Sequence, residues 1–141
     1  MTVAEISGYF TNMAGRVLNA DITPTLEHAR DWIAKDTANC FATSTSPKGQ
    51  AWAPIHHRIG KPLVHTGLMY LSVVDQISEG DIAANCLRIR IDHPFYAKFH
   101  QFGTQRIKQR EWLGITELTE KRIYADAVVE IVRQLITGNA T

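Results

Sequence analysis

The side chains of this chain that can do chemistry are six histidines, two cysteines and two long basic runs without an acid. His56 and His57 are adjacent, His65 follows closely, and His93 and His100 come later. Neighbouring residues on a strand point to opposite faces, so a metal site needs His56, His57 or His65 to meet His93 or His100 through tertiary folding. The plainer expectation is a set of loop and interface histidines, with no metal and no cofactor. Cys40 and Cys86 have no CxxC spacing and are read as buried, reduced thiols. Nothing but helix-face residues surrounds Cys40, so no nucleophilic Cys/His pair is expected. The phosphate-loop, dinucleotide, nucleophile-elbow and zinc-protease signatures are all missing, which lowers the prospect of an enzyme.

Charge is distributed unevenly. The formal net charge of the 141 residues is +1, so the whole-molecule field draws neither nucleic acid nor anionic membrane strongly. Between Thr37 and Val74 there is no Asp or Glu, while Lys48, Arg58 and Lys61 join the three histidines there. From His93 to Arg110 the same holds, with Lys98, Arg106, Lys108 and Arg110 interleaved with aromatics. Such a mixture suits phosphate contact and base stacking, or equally an acidic face of another protein. With 45% hydrophobic and 21% charged residues the chain has the composition of a globular protein. No apolar run approaches the roughly 20 residues of a membrane span, and residues 1–15 lack the pattern of a signal peptide. A soluble, cytoplasmic single domain over residues 1–141 is the expectation.

The elements that must position these residues read as α+β. Val3, Ile6, Phe10, Met13, Val17 and Leu18 predict an amphipathic helix over 3–19, weakened by Gly8 and Gly15. Thr23 as cap and Pro24 in the first turn predict a helix over 24–42, with Leu26, Ala29, Ile33, Thr37 and Cys40 on one stripe. Residues 43–62 are expected as a mobile loop, its Thr43–Gln50 part made of turn formers. Strands are predicted over 71–78 and 86–92, joined by a turn at Ser78-Glu79-Gly80-Asp81. In the second strand Leu87, Ile89 and Ile91 alternate with Arg88, Arg90 and Asp92. Phe95, Tyr96, Phe99 and Phe102 predict a short aromatic helix packed into the core, with Gly103 as its cap. A basic mobile loop over 104–110 and a strand over 111–116 follow, with Trp112 and Leu113 on opposite faces. Thr116 starts a final helix with Leu118, Ala125, Val129, Val132 and Ile136 along its apolar face, packed on a small antiparallel sheet and ended by Gly138.

Several of these segments are strings of a known kind. Tyr96-Ala97-Lys98-Phe99-His100-Gln101-Phe102-Gly103, then Arg110-Glu111-Trp112-Leu113-Gly114-Ile115, resembles the phage virion morphogenesis or tail-completion family, which typically reads "YA-x-x-HQFG", a variable loop, then a "FLG" element before a closing helix. Trp52-Ala53-Pro54 and the Leu63, Thr66 and Gly67 element are similar to two further family strings in the same order, so the resemblance covers roughly residues 25–136. This chain departs from the pattern in two places: Lys108-Gln109-Arg110-Glu111-Trp112 replaces a proline-rich entry to the last strand, and His65 stands where an aspartate is common. The resemblance implies a structural, non-enzymatic virion protein at the head-to-tail junction or the finished tail end. It implies a ring-forming, hexameric subunit whose partners are itself, tail terminator or tube proteins, and head connector proteins, without sequence-specific DNA contact. Lys48, Arg58, Lys61, Arg106, Lys108 and Arg110 are the expected partner-contact cations. His100 and Gln101 are expected either to fix the 104–110 loop by hydrogen bonds or to face a partner. The competing class is a small nucleic-acid-binding or metal-dependent protein using the basic, His-rich loops.

Overall fold

In a computed structural model, which describes residues 2–57, 59–64 and 66–137, the chain begins with a helix fixed by its own first turn. The Thr2 hydroxyl accepts from Glu5 N at 3.2 Å, and the Glu5 carboxylate accepts from Thr2 N at 2.6 Å. This reciprocal capping starts α1, Val3–Leu18, which runs unbroken through both glycines and buries no residue. Arg58, His65 and the expected stop at Gly138 lie outside the described residues.

Asp21 rather than Thr23 supplies the side-chain acceptor before α2, Thr23–Thr43: its Oδ1 takes Thr23 N at 2.9 Å and the Thr23 hydroxyl at 2.6 Å. Pro24 sits in the first turn as expected, and the buried stripe is Thr25, Ala29, Ile33, Thr37, Cys40 and Phe41. The chain leaves through Ser44 in the left-handed region and turns tightly, with Thr45 bridging Ala51 and Trp52 N donating to Ser44 O at 2.8 Å. Phe41 is the centre of the core, with Trp52, Tyr70 and Trp112 rings at 5.6, 5.4 and 6.3 Å. Aromatic contacts at these distances add to the burial of large apolar area.

The strand expected over 71–78 is a helix, α3, Leu68–Ser78. Its β-branched Val73 and Val74 favour a strand locally, but Met69, Val73, Gln76 and Ile77 recur at helical spacing and are all buried against α2. Packing overrides the local preference. The hairpin is accordingly smaller and shifted: β1, Asp81–Ala83, pairs antiparallel with β2, Cys86–Arg88, in the register Ile82 to Leu87. Its turn is Ala84-Asn85, both at positive φ, not residues 78–81. Beyond the pairing, Ile89 and Ile91 stay half-buried while Arg90 and Asp92 are exposed, so the expected alternation persists without a ladder. Cys86 is exposed on this hairpin, against expectation, whereas Cys40 is buried and its thiol is pushed up to about 11 by that burial.

After a cis His93–Pro94 bond comes α4, Ala97–Phe102. Its aromatics do not form the expected core stripe: Phe95 and Phe102 are exposed and Phe99 is half-buried, while Ala97 is the buried residue. Residues 111–116 are extended without pairing as a strand. Thr116 then caps α5, Glu117–Thr137, its hydroxyl accepting from Thr119 N at 3.1 Å.

The largest correction concerns which way α5 faces. Its main partner is α2, not the sheet. The most buried positions on the side turned to α2 are polar: Thr119 and Gln134 are 1% and 5% exposed, and Asp126 and Glu130 lie half-buried between them beside Ile123, Ala127 and Ile131. The Thr116 and Thr119 hydroxyls both donate to Asp36 Oδ2, and the Thr25 hydroxyl donates to Asp126 Oδ1 at 2.7 Å. The predicted apolar stripe therefore points to solvent, with Leu118 59%, Val129 67% and Ile136 80% exposed.

Glu130 gives this arrangement a pH signature. Hydrogen bonds from Arg133 and from Gln134, at 2.8 Å for the latter, hold its carboxyl down to about 2 from an ordinary 4.5. A depressed carboxyl stabilises the fold above its unfolded value and loses that contribution as pH falls toward its folded one. Melting followed by circular dichroism should show wild type above Glu130→Gln at neutral pH, with the gap shrinking from about pH 5 to about 2. A gap constant across that window contradicts the assignment.

Candidate functional site

The strings that are far apart in sequence meet at one end of the molecule, where Gln101 is the hub. Its Oε1 accepts from Trp112 N at 3.0 Å and Leu113 N at 2.9 Å, and its Nε2 donates to Leu113 O at 2.9 Å. One side chain thus supplies the hydrogen bonds that a neighbouring strand would give, which is why residues 111–116 can be extended without a partner strand. Trp112, only 2% exposed, donates from Nε1 to Ala97 O at 3.1 Å, and Trp52 donates from Nε1 to Glu111 O at 2.8 Å. Trp112 is therefore core, and half-buried Leu113 packs against the same cluster.

Two glycines of the strings are required by close approach. Gly103 has φ 74°, and an added Cβ would lie 3.1 Å from Gln109. At Gly114 a Cβ would meet Pro47 Cγ at 3.0 Å. At Gly103 a side chain would press on the Gln109 backbone, and at Gly114 on the Pro47 ring.

The expected partner-contact cations divide into two groups. Arg110 is a clamp: its Nε donates to Ala53 O at 2.8 Å, its Nη2 to Pro54 O at 3.1 Å, and its backbone N to His100 O at 2.8 Å. Lys61 donates to Ala42 O at 2.7 Å, near the end of α2. Lys48, Arg106 and Lys108 are exposed. Arg110 and Lys61 thus donate to backbone carbonyls within residues 42–54, and Lys61 remains exposed.

What lies outside the packed part is a surface cleft of about 370 Å³, lined by Leu63, Thr66, Gly67, Tyr96, His100 and Arg110 among others. A second cleft of about 470 Å³ shares Ile55, His57, His100 and Arg110 with it and adds Arg106 and Lys108. Neither has an acid among its described lining residues, so their chemistry suits an anionic or acidic surface. His100 is pushed below its ordinary value by burial and then by Arg110, so it is neutral at pH 7 and adds no charge. Tyr96 lines the first cleft at 38% exposure, Phe102 is 75% exposed, and neither anchors α4 in the core as expected.

Among the described residues no three His, Cys, Asp or Glu converge as metal ligands, and His93 instead bonds Ser72 Oγ at 2.7 Å. The Cys40 thiol sits in the apolar Phe41 cluster, and its value, raised by that burial, keeps it protonated. No helix among the described residues is long and apolar enough to cross a membrane.

Sequence reading missed Gln76 and Gln134, two further buried glutamines that act as Gln101 does. Gln76 Oε1 accepts from Asp92 N at 2.7 Å and His93 N at 3.1 Å while its Nε2 donates to His93 O. Gln134 Oε1 accepts from Asp21 N at 2.9 Å and its Nε2 donates to Asp21 O. No local signal marks them, because their partners are backbone groups remote in sequence. No family model, curated protein or solved structure matches the chain.

Replacing Gln101 by Ala leaves two amides and a carbonyl without their partner, a loss of about 2–4 kcal/mol if the segment does not rehydrate. Urea unfolding of Gln101→Ala should show that drop, together with faster amide exchange at Trp112 and Leu113. Wild-type stability with unchanged exchange contradicts the hub.

Proposed function

We propose that this chain is a structural subunit of virion assembly in a tailed phage or prophage. It completes the tail or joins head to tail, acting as a member of a ring. The quoted strings support the family reading, and the roles of their residues fit it. Trp52, Ala97, Gln101, Gly103, Trp112 and Gly114 hold segments of chain together, while Tyr96, Phe102 and the basic clefts remain outside.

The observation that carries the reading is the uncovered apolar surface. Val3, Tyr9, Phe10, Leu118, Tyr124, Val128, Val129 and Ile136 are all well exposed, on two helices that touch each other. A freestanding monomer rarely leaves such contiguous apolar area in water, whereas an assembly subunit covers it on contact with neighbours. Its expected neighbours are other copies of itself, tail tube or terminator proteins, and head connector proteins, in the virion.

The acid-free clefts favour a second reading, a small protein that binds single-stranded nucleic acid. Light scattering across protein concentration, with and without tail-tube and connector proteins of the same genome, separates the two. A defined oligomer or a stoichiometric complex is expected. A persistent monomer indifferent to those proteins, with salt-sensitive binding to single-stranded DNA, would overturn the assembly reading.

A further inference from the structure

Resting on that assembly reading, we infer that the contact between neighbouring copies is made by α1 of one copy lying along the outward stripe of α5 of the next. On α1 the apolar residues Val3, Ile6, Phe10, Met13 and Val17 recur at alternating spacings of three and four. On α5 the outward positions Leu118, Arg122, Ala125, Val129, Val132 and Ile136 recur at alternating spacings of four and three. Both are heptad seams, the pattern that packs one helix along another.

The two seams match in phase as well as in period. When the helices run parallel, like positions face each other: Val3 meets Arg122, Ile6 meets Ala125, Phe10 meets Val129, Met13 meets Val132 and Val17 meets Ile136. Every position of the α1 seam finds a partner. The single charged member, Arg122, falls at the end of the contact beside Glu5, the only acid of α1. Among the described residues Arg122 has no ion pair, unlike its neighbours Lys121, paired with Glu117 at 3.0 Å, and Arg133, paired with Glu130.

Within one copy most of both seams is exposed, although Met13 is half-buried. Val3 and Phe10 are 84% and 61% exposed. The α1 helix is held at its C-terminal end, where Arg16 donates to Leu135 O at 2.6 Å and Asn85 donates to Ala20 O at 3.0 Å. Its capped first turn is formed without help from the rest of the chain, so the free part projects as a preformed arm. An arm-to-stripe contact joins two different patches, the heterologous kind that propagates around a closed ring.

The test uses two proteins with one introduced thiol each in a Cys86→Ser background, Phe10→Cys and Val129→Cys, with buried Cys40 left in place. Treated with a short bismaleimide, their mixture should give a covalent dimer that neither protein gives alone. Light scattering of each variant first establishes that it still assembles. Assembly without bridging in the mixture, or faster bridging of Val129→Cys to itself, overturns the arm-to-stripe contact and leaves the assembly reading standing. A wild-type protein that stays monomeric overturns both.

Discussion

The carboxylates of Asp36 and Asp126 dictate how this molecule is put together. Each sits between α2 and α5, and a half-buried carboxylate requires hydrogen-bond donors at close range. Thr116 and Thr119 supply them to Asp36; Thr25 and His28 supply them to Asp126, the latter at 3.0 Å. Those donors occupy one side of α5 and commit that side to α2. The apolar stripe on the opposite side then has nowhere to go but solvent. An outward apolar face is thus a consequence of satisfying two half-buried acids.

A related economy holds the rest of the chain. Among the described residues the sheet is two short strands, and the stretches at 92–93 and 112–113 have no ladder partner. Three glutamines substitute for the missing strands, each offering an acceptor and a donor to one stretch of backbone. Gln76 fixes the approach to Pro94, Gln101 fixes the segment before α5, and Gln134 ties the start of α2 to the end of α5. Two of these stretches flank α4, so the quoted strings converge through polar bonds around the Phe41 cluster rather than through a sheet.

How much of this was readable in the residues follows from the range of the interactions. The α2 stripe was, because Ala29, Ile33, Thr37 and Cys40 keep one period in one element. So was the α+β class, with its long closing helix and the Thr116 cap. The 71–78 segment was not, since Val73 and Val74 look like strand until the buried set Met69, Val73, Gln76 and Ile77 is known. The facing of α5 was hidden more deeply: the apolar stripe pointed to the core by every local rule, while the deciding partners lie 80 and 101 residues away. In the site, the strings could be quoted residue by residue, yet the use of Gln101 and Arg110 as clamps depends on carbonyls that composition does not mark.

The outward stripe is most directly tested by placing two charges on it, with Val129→Glu and Val132→Glu combined, and measuring monomer melting and assembled mass on the same sample. A stripe that faces solvent in the single copy and a neighbour in the assembly predicts a wild-type melting temperature and loss of the oligomer. A monomer that melts much earlier would mean the stripe is core, and an oligomer of unchanged mass would mean that nothing docks there. Either result contradicts the orientation of α5 as the basis of this protein's assembly.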